Sequence, residues 1–248
     1  MKRSVVLLFL SLAMSMAAFG QKHTFVIVHG AWGGSWSFKQ VDSILNARGH
    51  IVYRPSLTGL GERVHLSSPE ITIQTNVLDV VNTILYEDLQ NVVLIGHSFG
   101  GAVITGVADS IPERIERLIF LDAIVPNNGE SVISSRSDGR AAPEQKSTNG
   151  YVVPDWVNED EPLPHDVPQS LKSFTSPVSW KKKDALTLPA TYIHTVDNPE
   201  RIEDDHFYFF AKRAKERGWK IVTMTADHNP QTTKPKELSD IIEVESNK

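Results

Sequence analysis

A serine set between glycines, in the sequence GHSFG at positions 96–100, constrains the fold of this chain more than any other feature. The apolar run 91–95 precedes it and reads as a buried strand, while a helix is predicted from Gly101. A serine at such a junction sits on a strained turn whose neighbours must be small, and the flanking glycines meet that need. The pattern predicts Ser98 as a nucleophile, with a glycine-rich structural turn as the alternative.

The rest of the chain alternates short apolar runs with longer amphipathic ones. This alternation is typical of the α/β class, with a mostly parallel sheet flanked by helices. The predicted strands cover residues 24–28, 51–53, 91–95, 117–125, 190–195 and 220–224. The predicted helices cover residues 38–48, 75–86, 101–108, 205–217 and a final segment from about 236. We therefore expect a single domain over residues 21–248.

The alternation stops between residues 126 and 189. A long proline-rich stretch inside a compact domain is usually either functional or disordered. Trp156, Phe174 and Trp180 argue for order, because a solvated linker has little use for large aromatic side chains. We predict a cap inserted into the domain at about 126–189. These three aromatic residues are candidate substrate contacts, with packing inside the cap as the alternative.

The first twenty residues have the pattern of a secretory signal peptide. Lys2 and Arg3 are followed by an apolar run over 5–19, and small residues precede a cleavage point after Gly20. The alternative is a membrane anchor, but the run is shorter than the roughly 20 apolar residues that usually span a bilayer. We expect export to the periplasm or the medium, with no stable membrane insertion after cleavage.

Composition excludes several classes of chemistry. The 248 residues include no cysteine, which rules out a disulfide framework, thiolate catalysis and cysteine-ligated metal. No histidine spacing typical of a metal site occurs, so neither a metal nor another cofactor is expected. The formal net charge of −5 argues against a nucleic-acid partner. The sequence leaves the oligomeric state open.

The predicted base is a histidine near the end of the chain. A serine hydroxyl is a weak nucleophile until a base takes its proton. His228 lies in the loop after the last predicted strand, where such a base belongs, and a surface histidine is the alternative reading. His29 and His97 lie inside glycine motifs, and we expect them to serve packing or local hydrogen bonding.

Two aspartates compete for the role of the acid that orients His228. Asp197 follows the strand 190–195 and fits the chain order serine, acid, histidine. Asp122 ends the strand 118–121, from which a carboxylate can reach the same histidine. The sequence favours Asp197 and keeps Asp122 as the alternative.

The loop HGAWGGSW at 29–36 is expected to lie against the turn at 96–100 that carries Ser98, here called the nucleophile turn. Acyl transfer needs backbone N–H groups aimed at the developing oxyanion. We expect these donors to be the N–H groups of Ala31 and Phe99, with Trp32 as a pocket wall and candidate substrate contact. A phosphate-binding loop is the alternative, but the loop lacks the Lys-Ser/Thr ending and the G-x-G-x-x-G spacing.

These motifs resemble those of the α/β-hydrolase superfamily. The resemblance is strongest to a branch of small bacterial carboxylesterases, plant methyl esterases and plant hydroxynitrile lyases. It is carried by FVIVHGAW at 25–32, GHSFGG at 96–101, LDAIVP at 121–126 and ADH at 226–228. It implies an α/β-hydrolase fold, a triad of Ser98, Asp197 and His228, and oxyanion donors at Ala31 and Phe99.

The implied activity is hydrolysis of carboxylic esters of small, fairly apolar molecules through an acyl-enzyme. A carbon–carbon bond hydrolase or an amidase on the same triad is an alternative, as is a non-catalytic ligand-binding protein. The plant lyases carry a threonine where this chain has Gly30, and a lysine where it has Asn229. Lyase activity is therefore not expected.

Overall fold

The computed structural model describes residues 21–136, 147–158 and 160–247. The predicted signal peptide lies outside the described residues, as does the part of the predicted cap at 137–146. In the described part of the chain, no helix combines the length and apolar character that a membrane crossing needs.

The main sheet has six strands, all parallel to their neighbours. The described strands are β1 (Thr24–Val28), β2 (Ile51–Tyr53), β3 (Val92–His97), β4 (Ile115–Leu121), β5 (Ser147–Thr148), β6 (Tyr151–Val152), β7 (Gln169–Ser170), β8 (Ala190–Val196) and β9 (Lys220–Thr225). The order across the main sheet is β2-β1-β3-β4-β8-β9. Every residue of β3 is buried, as expected for a continuous apolar strand covered on both faces.

Helices cover both faces of this sheet. The described helices are α1 (Lys39–Ala47), α2 (Ile73–Tyr86), α3 (Gly100–Ser110), α4 (Leu171–Thr175), α5 (Lys183–Leu186), α6 (Tyr208–Glu216), α7 (Pro230–Thr233) and α8 (Pro235–Ser246), of which α4 and α5 belong to the predicted cap. Short 3₁₀ helices cover Ser35–Phe38, Gly61–Leu66, Pro112–Arg114 and Pro199–Asp204. Alternate residues of β3 divide the core: Leu94 packs with α2 and α3, whereas Ile95 packs with α1 and α8. The predicted fold class is confirmed.

The two largest differences between predicted and observed element boundaries have local causes in the backbone. The strand predicted to reach residue 125 ends at Leu121, since Asp122 turns the chain at a φ of +42°. The helix predicted from Asp205 begins at Tyr208, because the Asp205 carboxylate accepts the N–H of Phe207. Both differences arise at the carboxyl end of a strand or in the loop that follows one.

Where it is described, the predicted cap forms a small sheet of its own and packs apolar side chains against the core of the main sheet. Strands β5, β6 and β7 form a small antiparallel sheet, followed by α4 and α5. Ser170 Oγ–H donates to the Pro69 carbonyl at 2.9 Å, so the small sheet is fixed next to the loop before α2. In a parallel sheet all strands end at the same edge, and ligand sites form there.

Candidate active site

The nucleophile turn has the strained geometry that the glycine pattern predicts. Ser98 lies between the end of β3 and the start of α3 with a φ of +53°. A Cβ on Gly96 would lie 2.6 Å from the Gly100 carbonyl oxygen, and one on Gly100 would lie 2.6 Å from the Val28 carbonyl oxygen. Since real Cβ atoms do not approach so closely, only glycine fits at both positions.

Ser98, His228 and Asp122 form a continuous hydrogen-bonded chain. Ser98 Oγ–H donates to His228 Nε2 at 3.0 Å, and His228 Nδ1–H donates to Asp122 Oδ2 at 2.6 Å. The carboxylate can only accept, so the proton of the neutral imidazole is assigned to Nδ1. The three residues follow β3, β9 and β4, so the sheet brings their side chains together at one edge.

This geometry corrects the sequence-based choice of acid. Asp197 is exposed at the end of β8, and His228 Nδ1 is engaged by Asp122 instead. The positive φ of Asp122 ends β4 and turns the carboxylate toward the histidine. The alternative aspartate of the sequence analysis is therefore the one that the structure brings to His228.

Asp122 is held in a buried, polar environment. Its side chain is 2% exposed, and its second oxygen accepts the N–H of Thr195 at 3.4 Å. Burial raises the pKa of the Asp122 carboxyl above its ordinary value, and the hydrogen bond from His228 opposes that rise. A buried carboxylate of this kind can stabilise a neighbouring imidazolium strongly.

Two further histidines hold the loops of the site through local hydrogen bonds, which is one of the two roles that the sequence analysis expects for them. His97 Nε2–H donates to the His228 carbonyl at 2.8 Å, and burial holds the pKa of His97 well below its usual value. His29 Nδ1–H donates to the Gly30 carbonyl at 2.7 Å, while His29 Nε2 accepts the N–H of Leu57 at 3.1 Å. Burial lowers the pKa of His29 to about 4. Both rings are therefore neutral at pH 7 and stabilise the loops through these hydrogen bonds.

The two predicted oxyanion donors lie on segments that meet at Ser98. A Cβ on Gly30 would lie 3.2 Å from the Cβ of Ser98, so the loop after β1 runs against the turn. Within the described residues, the N–H groups of Ala31 and Phe99 donate no hydrogen bond. Phe99 directly precedes α3, where the helix dipole favours negative charge.

Aromatic side chains from the cap and the main domain meet beside this loop. The Trp32 ring stacks on Phe174 at 5.6 Å and meets Trp156 edge-on at 5.3 Å. Phe174 also lies 5.3 Å from the ring of Phe99. Three of the four candidate substrate contacts are thus brought together.

Trp180, the fourth candidate, is placed elsewhere. Its ring packs 5.5 Å from Trp219, and the Arg217 guanidinium lies over it at 4.4 Å. The neighbouring Lys181 N–H donates to Asp109 in the last turn of α3, at the opposite end of that helix from Ser98. The structure therefore assigns Trp180 to core packing rather than to the site.

Phe207 is a site residue that sequence reasoning missed. Its ring stacks on His228 at 4.6 Å with an interplanar angle of 15°. Phe207 lies in the loop between β8 and α6, where no motif or periodicity distinguishes it. Its position as the first of four consecutive aromatic residues at 207–210 offered the only sequence signal.

A second histidine–aspartate pair lies next to Asp122, and sequence reasoning missed this as well. His194 Nε2 and Asp205 Oδ1 are 2.9 Å apart, and one ligand atom from each of Asp122, His194 and Asp205 lies within 4.8 Å of the others. Burial raises the pKa of Asp205, but hydrogen bonds from His194 and the Phe207 N–H outweigh it and hold that pKa below normal. The three ligand atoms are close enough together to suit a metal ion. In this structure, however, Asp122 accepts hydrogen bonds from His228 and Thr195, and Asp205 accepts them from His194 and the Phe207 N–H.

Comparison with known proteins finds matches over most of the chain. A family model described as "Alpha/beta hydrolase family" matches residues 25–241. A carbendazim hydrolyzing esterase of Nocardioides sp. (strain SG-4G) is 32% identical over 244 residues, covering 87% of this chain and 96% of the relative. Methylesterase 2 of Arabidopsis thaliana is 34% identical over 114 residues, covering 45% and 43%.

The fold is also found among solved structures. An extracellular alpha/beta-hydrolase from a Paenibacillus species is 24% identical, covers 89% of this chain and 97% of its own, and superposes with a TM-score of 0.69. The sequence relatives lie in the branch that the motifs at 25–32, 96–101, 121–126 and 226–228 resemble, so the predicted resemblance is confirmed.

Proposed function

The chain belongs to the alpha/beta hydrolase family, and we propose that it hydrolyses carboxylic esters of small, fairly apolar molecules. The observation that carries this proposal is the hydrogen-bonded chain from Ser98 through His228 to Asp122. Relatives named as esterases support ester hydrolysis as the reaction.

The proposed reaction begins with acylation of Ser98. Its Oγ attacks the ester carbonyl carbon while His228 Nε2 takes the hydroxyl proton. Asp122 stabilises the resulting imidazolium through the Nδ1 hydrogen bond. The N–H groups of Ala31 and Phe99 hold the oxyanion, which collapses as His228 returns the proton to the departing alcohol.

Deacylation repeats these steps with water. His228 removes a proton from a water molecule, whose oxygen attacks the acyl carbonyl carbon. The second tetrahedral oxyanion uses the same backbone donors. Its collapse releases the carboxylic acid and returns the proton to Ser98 Oγ.

The aromatic side chains beside the loop 29–36 support this substrate class. Trp32 is partly exposed and meets the exposed ring of Trp156 edge-on, while the buried rings of Phe174 and Phe99 pack behind Trp32. Exposed indole rings beside Ser98 favour an aromatic acyl or alcohol group. The Nocardioides relative is named for hydrolysis of carbendazim and the Arabidopsis relative as a methylesterase. Methyl esters and carbamates of aromatic compounds are therefore the first substrates to test.

The proposed place of this reaction is outside the cytoplasm. Lys2, Arg3 and the apolar run 5–19 support an export signal. Fractionation of producing cells and mass spectrometry of the amino terminus test this part. A mature terminus at Gln21 in the exported fraction is expected, and an intact Met1 in the cytoplasm would contradict it.

Covalent labelling tests the function directly. We expect a fluorophosphonate probe to label the folded protein, and Ser98→Ala to abolish labelling. Hydrolysis of p-nitrophenyl benzoate should fall about 10⁴-fold or more in this variant. Ser67→Ala, at an exposed serine, is the matched control and should keep both signals. Absence of labelling in the folded wild-type protein would contradict the proposal.

A further inference from the structure

The residue after the predicted oxyanion donor adopts an unusual turn. Trp32 has a φ of +62°, and the Gly33 N–H donates to the Ala31 carbonyl at 2.7 Å. A hydrogen bond across one residue of positive φ defines the γ-turn form that is rare and strained. The strain is greater here because the central residue is a tryptophan rather than a glycine. Such a turn persists only where its surroundings hold it.

The cap supplies those surroundings. The Trp32 N–H donates to Gln169 Oε1 at 2.9 Å, and its indole Nε1–H donates to the Val152 carbonyl at 3.3 Å. The Val167 N–H donates to the Trp32 carbonyl at 2.9 Å. Both backbone polar groups of Trp32 are thus bound by the segment 147–189 of the cap, and so is its side chain.

Among these three partners, only Gln169 binds Trp32 through a side-chain atom, since Val152 and Val167 use backbone groups. It is 3% exposed, and its Nε2–H donates to Ser173 Oγ at 3.0 Å. Ser173 Oγ–H in turn donates to the Ser170 carbonyl at 2.7 Å. This network aims the amide oxygen of Gln169 at the Trp32 N–H. The nitrogen of the amide could not accept that proton.

We propose that Gln169 is a positioning residue that sets the oxyanion donor of Ala31 through the strained turn at Trp32. The nitrogen that Gln169 binds belongs to the peptide unit between Ala31 and Trp32, so a relaxed turn rotates that unit and displaces Ala31. Displacement by about 1 Å at a reacting centre can cost about a hundredfold in rate. Gln169 itself touches no reacting atom. This inference rests on the proposed function.

Three substitutions separate this role from general support of the cap. Gln169→Met keeps the volume and removes the acceptor, Gln169→Glu keeps an acceptor, and Ser173→Ala removes only the other hydrogen bond of the amide. With p-nitrophenyl benzoate, Gln169→Met should lower kcat/KM about 10- to 100-fold, mainly through kcat. Gln169→Glu should recover much of this loss. Ser173→Ala leaves the acceptor in place but frees the amide to turn, so its loss should be smaller than that of Gln169→Met.

Inhibition provides the readout that looser cap packing would not reproduce. Phenyl trifluoromethyl ketone accepts Ser98 Oγ at its carbonyl carbon, forming a hemiketal oxyanion while the hydroxyl proton passes to His228. Benzoate, the reaction product, forms no such adduct. In Gln169→Met the inhibition constant of the ketone should rise by the same factor by which kcat/KM falls. That of benzoate should change by less than about twofold.

The outcomes are distinct for the two proposals. This inference would be overturned if Gln169→Met left kcat/KM unchanged, or if it weakened binding of the ketone and of benzoate by the same factor. Hydrolysis by the wild-type protein would still support the proposed function in either case. A folded wild-type protein that neither hydrolyses the ester nor binds the ketone would overturn both. Should Gln169→Met fail to fold, Gln169→Asn withdraws the acceptor by one methylene and is judged by the same criteria.

Discussion

The Nδ1 atom of His228 lies 2.6 Å from Oδ2 of Asp122, a residue 106 positions earlier in the chain. Asp122 follows β4, and Asp197 follows the adjacent strand β8, so both aspartates lie at the same edge of the sheet. Only Asp122 is buried and turned toward the histidine. Backbone conformation thus decides which of the two aspartates contacts His228, because both lie between Ser98 and His228 in the chain.

The first prediction compares the two aspartates. Asp122→Asn removes the charge that stabilises the imidazolium and favours the wrong tautomer of His228, so kcat should fall about 10⁴-fold. Asp197→Asn changes an exposed side chain and should alter kcat by less than about twofold. Steady-state hydrolysis of p-nitrophenyl benzoate measures both. The reverse ranking of the two variants would restore Asp197 as the acid.

The contrast shows how far sequence alone could lead. Ser98 and His228 were predictable because glycine spacing and loop position mark them locally. Asp122 and Asp197 carry equivalent local signals, since each follows an apolar strand, and only the left-handed turn at Asp122 separates them. At that turn the Asp122 N–H donates to the Ile193 carbonyl of β8 and the Asp122 carboxylate accepts the Thr195 N–H. These contacts join segments about 70 residues apart, so no single segment encodes them.

Local sequence patterns also failed to distinguish the aromatic residues of the site from those of the core. The sequence marks Trp156, Phe174 and Trp180 in the same way, as large aromatic residues in a proline-rich segment. In the fold, however, Trp180 lies near the end of α3 that is far from Ser98. Phe207, which stacks on His228, belongs to no motif. Contacts formed by side chains from distant segments follow from tertiary packing, so local patterns could suggest candidates but not select among them.

The second prediction concerns acid stability through His29. Burial lowers its folded-state pKa to about 4, below its usual value near 6.5. Between these values the unfolded chain binds a proton that the folded protein does not, so stability falls as the pH falls. His29→Gln, which keeps a donor and an acceptor, should reduce the loss of unfolding free energy between about pH 7 and pH 5 by about 2 kcal/mol.

Urea unfolding at the two pH values measures this change. His65→Gln, at an exposed histidine, is the matched control and should leave the pH dependence as it is in the wild type. A His29→Gln protein with the wild-type pH slope would show that the buried imidazole does not drive acid destabilisation.

The third prediction tests the glycine in front of the nucleophile. A Cβ on Gly96 would lie 2.6 Å from the carbonyl oxygen of Gly100, so Gly96→Ala must displace backbone. The cost should be about 3 kcal/mol in unfolding free energy, with loss of esterase activity. Gly129→Ala has the space for a methyl group but a φ of +83°, and it should cost about 1 kcal/mol. Thermal or urea unfolding ranks the two, and equal costs would contradict steric need at Gly96.

The last prediction separates substrate contact from core packing among the cap aromatics. Trp156 is exposed and meets Trp32 edge-on, so Trp156→Leu should raise KM for p-nitrophenyl benzoate about tenfold relative to p-nitrophenyl acetate. Trp180 packs on Trp219 and Arg217, so Trp180→Phe should lower stability by about 1–2 kcal/mol and leave that KM ratio unchanged. Parallel kinetics and unfolding of both variants measure the two effects. A changed KM ratio in Trp180→Phe would place its ring in the substrate pocket after all.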